Sequence, residues 1–68
     1  MSDQEILEAI FLLDDDAPAM DIANEIGAPV PDVKARLQEL TRTGLVDQTG
    51  KAFGLTDVGM DQLEQLTA

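Results

Sequence analysis

Residues 20–46, MDIANEIGAPVPDVKARLQELTRTGLV, read as a short helix, a tight turn and a second helix that ends on a glycine before a strand. In the first segment Met20, Ala23 and Ile26 recur at helical spacing with Ile22 beside them, which predicts one apolar face. Gly27 follows where a helix end needs a residue tolerant of positive φ, so the helix stops there. Pro29 and Pro31 lack an amide donor and restrict the residues before them, a pattern that fits a turn or the first turn of a helix. Pro31 and Asp32 therefore open the next helix, with Val30 just before it. Val33, Leu37 and Leu40 mark its buried stripe, and Thr43-Gly44 marks its end. The joint is too short to let the two helices lie far apart, so they pack at an angle.

Working outward, Ser2 or Asp3 caps an opening helix, with Glu5 as an acidic first-turn residue favoured by the helix dipole. Its expected buried face is Ile6, Leu7, Ile10, Phe11 and Leu13. Asp14-Asp15-Asp16 reads as an exposed connection, and Pro18 as a first-turn residue of the next helix. Beyond Gly44, a strand runs from Leu45 and Val46 to about Thr49, and Ala52 to Thr56 reads as its return, with Gly50-Lys51 as a tight hairpin. Phe53 and Leu55 share the core-facing side, while Gly54 lies on the other, exposed or close to another backbone. Thr56 or Asp57 caps a last helix whose apolar face uses Leu63 and Leu66 with Val58 or Met60.

The expected fold is mainly α with a small β-hairpin, in the order α-α-α-β-β-α, as one domain over residues 1–68. The motif helices are expected at about 19–26 and 31–43, the hairpin at about 45–56 and the last helix at about 57–66.

Composition narrows the chemistry. The chain has 68 residues and no cysteine or histidine, so thiolate and imidazole metal sites and the common nucleophile–base pairs have no constituents. No carboxylate sits in an apolar stretch that predicts a raised pKa, and an enzyme is not expected. The aspartate run lacks the alternating ligands and distal glutamate of a calcium loop, so no metal or other cofactor is expected. No apolar run is long enough to span a bilayer and no signal-like segment opens the chain; the expected location is cytoplasmic, with no membrane partner. Fourteen acidic residues against four basic ones give a net charge of −10, a surface suited to high cytoplasmic salt and a halophilic source.

Ala23 within the first motif helix, Gly27 in the turn, Val33 and Leu37 inside the second helix, and Leu40 through Gly44-Leu45-Val46 at its exit together resemble the winged helix-turn-helix proteins. The likeness is to the small archaeal DNA-binding regulators of that superfamily, and it extends through the hairpin, which takes the place of the wing. The resemblance implies a transcriptional regulator that binds double-stranded DNA, with Pro31, Lys34, Ala35 and Gln38 facing the duplex. A last helix in this family packs on the first helix or on a partner subunit. A homodimer through the first and last helices is the expected assembly, and no small-molecule ligand is expected.

The charges are distributed unevenly. Residues 1–32 carry nine acids and no bases, residues 33–56 four bases and two acids, and residues 57–68 three acids and no bases, so the middle segment is +2 within a chain of −10. Lys34, Arg36, Arg42 and Lys51 are all on the second motif helix or the hairpin. At about 100° per residue, Pro31, Ala35, Gln38 and Arg42 point away from the Val33-Leu37-Leu40 stripe, with Lys34 on one flank and Arg36 on the other. On such a helix Gln38 can read an adenine edge, Lys34 can reach guanine or phosphate, and Arg42 and Lys51 can hold phosphate. Two other readings stand beside this one. Lys34 and Arg36 can be solvated or paired with Asp32 or Glu39. The whole fold can also serve as a protein interaction module without DNA binding.

Overall fold

The computed structural model describes residues 2–67, and the side-chain surroundings of residues 2–65. Its elements are α1 (Asp3–Leu12), β1 (Ala17–Pro18), α2 (Ala19–Ile26), α3 (Val30–Arg42), β2 (Val46–Thr49), β3 (Ala52–Leu55) and α4 (Asp57–Thr67). The protein is mainly α-helical with a small antiparallel sheet, and the order is compatible with a winged helix. One element differs from expectation: β1 makes the sheet three-stranded, in the order β1-β3-β2.

Ser2 caps α1 by accepting the Glu5 amide on its Oγ at 3.3 Å. The buried set on α1 is Ile6, Leu7, Ala9 and Ile10, with Leu13 partly buried. Phe11, expected in the core, is 54% exposed. The stripe at i, i+3, i+4 and i+7 passes through Ile6, Ala9, Ile10 and Leu13, and Phe11 falls outside it. The same one-residue displacement corrects Met20. In α2 the inward set is Ala19, Ile22 and Ala23 with Ile26 partly buried, and Met20 is 63% exposed.

α2 ends at Gly27, whose φ of 70° is left-handed, and the Ala28 amide reaches back to the Ala23 carbonyl at 3.1 Å. That closure leaves Ala28 and Pro29 to turn the chain before α3 starts at Val30, one residue earlier than expected, with Pro31 and Asp32 in its first turn. The exit of α3 is closed by paired backbone bonds, Leu45 N–H to Leu40 O at 3.0 Å and Gly44 N–H to Thr41 O at 3.2 Å. They satisfy carbonyls that would otherwise be orphaned and set the direction of β2.

In the hairpin Val46 pairs with Leu55, Gln48 with Phe53 and Thr49 with Ala52, leaving Gly50-Lys51 as a two-residue loop. Gly50 takes φ of 63° at the first central position, where a type II′ turn requires positive φ. β1 adds to the other side of β3, with Ala17 opposite Phe53 and Pro18 opposite Ala52. Pro18 is thus the last residue of an edge strand and the N-cap of α2, with ψ of 161°, rather than a helical residue. Its ring fixes φ at a value common to strand and helix, and pairing with β3 decides ψ.

Where β1 stops, the Asp15 side chain continues its role. Its Oδ1 accepts the Leu55 amide at 2.7 Å, at the register position a longer β1 would fill. Asp14 and Asp15 both adopt left-handed φ, 64° and 63°, which aspartate tolerates better than most residues. Gly54 is close to another backbone: a Cβ there would stand 2.6 Å from the Asp15 carbonyl oxygen. Gly59 in α4 is tighter still, since a Cβ would collide with the Leu45 carbonyl oxygen. Thr56 caps α4, accepting the Gly59 amide at 3.0 Å while its hydroxyl donates to the Gly44 carbonyl.

The core joins α1, α2, α3 and β2 through Ile6, Leu7, Ile10, Ile22, Val33, Leu37 and Val46, each fully buried, and Ala17 of β1, Phe53 of β3 and Leu63 of α4 belong to the same cluster. Burying such a side chain stabilises the fold by about 1.5–3 kcal/mol each before conformational entropy is counted. α4 packs on α1 within the same chain, with Leu63 buried; of the two alternatives expected beside it, Met60 is half-buried and Val58 is 59% exposed. Leu66, expected on that face, lies outside the residues whose side chains are described. No helix among the described residues is long and apolar enough to cross a membrane.

Candidate nucleic-acid interface

α3 presents two unlike flanks because its Val33-Leu37-Leu40 stripe is pinned to the core. On the flank toward the hairpin, Lys34 and Gln38 stand one turn apart, and the hairpin brings Gln48 and Lys51 to the same groove. Met20, Val30 and Phe53 supply apolar surface between them. No carboxylate lines this groove among the described residues, although the chain carries 14 acidic residues. Two lysines and two glutamines line it beside a partly apolar wall.

The geometry of the hairpin places these side chains. Gln48 lies opposite Phe53, so it shares the inner face of the hairpin with Val46 and Leu55. Phe53 at this position is buried in the core, whereas Gln48 is exposed and lines the groove with Lys34 and Gln38 of α3. The Gln48 Nε2 donates to the Gly50 carbonyl at 3.0 Å, which braces the loop that carries Lys51.

The opposite flank of α3 has a different chemistry. Ala35, Arg36 and Glu39 line a cleft with Asp3, Asp32 and Leu45. Arg36 pairs with Asp3 of α1 at 3.3 Å, not with Asp32 or Glu39 as sequence spacing allowed. Both side chains are nearly half exposed, at 44% and 49%, so the pair contributes at most about 1 kcal/mol. It nevertheless directs the Arg36 guanidinium toward α1. Arg42 pairs with Glu39 one turn back at 3.7 Å and is well exposed at the helix end.

The seven residues singled out from the sequence therefore separate. Lys34, Gln38 and Lys51 come together in the acid-free groove. Ala35 and Arg36 belong to the cleft on the other flank, Arg42 stands at the C-terminal end of α3, and Pro31 lies exposed in its first turn. Gln48 was missed. Its signal was present in the alternation from Val46, which puts residue 48 on the inward face, but a glutamine in a four-residue strand reads equally well as a solvated residue.

Among the described residues no group of three or more His, Cys, Asp or Glu is arranged to hold a metal ion. In the 14–16 run, Asp15 is engaged with the Leu55 amide. Compared with known proteins, the chain matches no family model and no curated sequence.

Proposed function

We propose that this chain is a transcriptional regulator of winged helix-turn-helix type that binds double-stranded DNA with sequence specificity. The observation that carries the reading is the convergence of Lys34, Gln38, Gln48 and Lys51 on one carboxylate-free groove between α3 and the hairpin. A chain of −10 repels a polyanion over most of its surface, so a duplex is admitted only where the local charge is positive. Entry of α3 into the major groove places Gln38 against base edges, where its amide can satisfy the donor–acceptor pair of adenine. Lys34 and Lys51 then bracket a phosphodiester strand running between helix and hairpin. Arg42 reaches phosphate from the helix end, while Arg36 holds α1 to α3.

A homodimer in the cytoplasm completes this reading. Phe11 and Val58 leave apolar surface exposed on α1 and α4, and a second copy doubles the small number of phosphate contacts one copy makes. The test is binding to duplexes drawn from the region of the chain's own gene, measured across salt concentration. A Lys34→Ala/Gln38→Ala variant that stays folded should lose discrimination between sequences. Equal affinity of the unmodified protein for all duplexes would reject the specific-regulator reading.

A further inference from the structure

A second groove lies between α1 and α2, on the side of the molecule built from the first 26 residues. Ala9, Leu12 and Ile26 form its floor, and Glu5, Glu8 and Glu25 form its rim. Leu12 is 66% exposed, the largest exposure among the large apolar side chains described, and none of the described residues covers it. The rim has no internal counter-charge among the described residues: the two ion pairs involve Arg36 with Asp3 and Arg42 with Glu39, and Glu8 only accepts from Gln4 Nε2 at 3.0 Å. No lysine or arginine precedes residue 34, so no basic side chain of α1 or α2 lies on this face.

We propose that this groove docks a basic amphipathic helix of another protein. The commitment follows from charge complementarity. An apolar side chain of the partner covers Leu12 and Ile26, and lysines or arginines one turn to either side meet Glu5, Glu8 and Glu25. A symmetric contact with a second copy brings the six glutamates of two rims together without a cation, an arrangement that costs rather than gains energy. Among the described residues, the basic face of a second copy without a carboxylate beside it is the Lys34–Lys51 groove, and docking there would consume the surface assigned above to DNA. A foreign basic helix satisfies the charges and leaves that surface free. The two faces then let one small domain hold a duplex and a basic partner together.

The experiment uses the full chain, isotopically labelled, and a synthetic amphipathic helix of about 15 residues with leucines at i, i+4 edged by lysines. Amide shifts should cluster at residues 5–12 and 25–26. Leu12→Ser, at an exposed position that leaves the core untouched, should weaken binding about tenfold or more, and Glu5→Gln/Glu25→Gln should weaken it similarly. Circular dichroism checks that each variant is folded. A Lys34→Glu/Lys51→Glu variant should bind the peptide as the unmodified chain does, which keeps this outcome separate from the fate of the DNA reading. Absence of binding overturns the proposal. So do shifts spread over the whole acidic surface with Leu12→Ser unaffected, which is counter-ion attraction only. Self-association that Lys34→Glu/Lys51→Glu abolishes also overturns it, since the occupant is then a second copy.

Discussion

The two flanks of α3 share one helix and nearly the same number of polar residues, yet they are built for opposite tasks. Toward the hairpin, Lys34 and Gln38 face Gln48 and Lys51 with no carboxylate in the groove. Toward α1, Arg36 is bound to Asp3, and Asp32 and Glu39 line the cleft beside it. A count of charges along the helix misses this, because the rotation of the helix about its axis sorts them. Net charge reports on solubility and repulsion, whereas the local sign of each flank is set by which carboxylates line it.

The strongest way to break the comparison is to make the two flanks alike. Lys34→Glu/Lys51→Glu turns the hairpin flank acidic, and its affinity for duplex DNA should fall by about a hundredfold or more, read by titration at fixed salt. Gly59→Ala should have the largest effect on stability, about 3 kcal/mol by urea unfolding, because the new methyl meets a backbone oxygen that no side-chain rotation can move. Gly54→Ala should cost about 1–3 kcal/mol, since it pushes β3 off Asp15 and displaces the hairpin flank of the groove.

Salt sharpens the comparison further. Each phosphate neutralised adds roughly −0.9 to the slope of log affinity against log salt, so Lys34, Lys51 and Arg42 predict a slope of about −2.7 per protomer, and Lys51→Ala should remove about one unit. The smallest effect is assigned to the other flank. Arg36→Ala should cost under about 1 kcal/mol of stability and leave DNA affinity nearly unchanged. A loss of DNA affinity from Arg36→Ala comparable to that from Lys34→Ala would erase the distinction between the flanks.

Much of this frame was legible from local patterns. The end of α2 came directly from Gly27 while Pro18, expected in its first turn, stands before it as the N-cap; α3 was displaced by one residue at each end, and Thr56 proved to be the cap of α4. Each of these rests on interactions spanning at most a turn or two. The missed features depend on contacts far apart in the chain. β1 exists because Ala17 and Pro18 meet Phe53 and Ala52, and no propensity of the dipeptide announces that. Asp15 read as one of three solvated charges until the Leu55 amide, 40 residues away, was found on its carboxylate.

Phe11 and Met20 show a different failure. An apolar residue beside a stripe is indistinguishable from one within it until the axis of the helix is fixed by its neighbours. The candidate site divides in the same manner. Period alone places Lys34 and Gln38 off the stripe, but which of α1 or the hairpin each flank faces is decided by tertiary packing, and so was the partner of Arg36.

The two-residue strand β1 has a consequence for the molecule in a crowded solution. It forms an outer border of the sheet, and Pro18 deprives that border of a donor while the aspartates before it discourage a neighbouring strand from settling alongside. A growing stack of molecules joined sheet to sheet finds no template there. Replacing Pro18 by valine would give this border an N–H that proline withholds from any neighbouring strand.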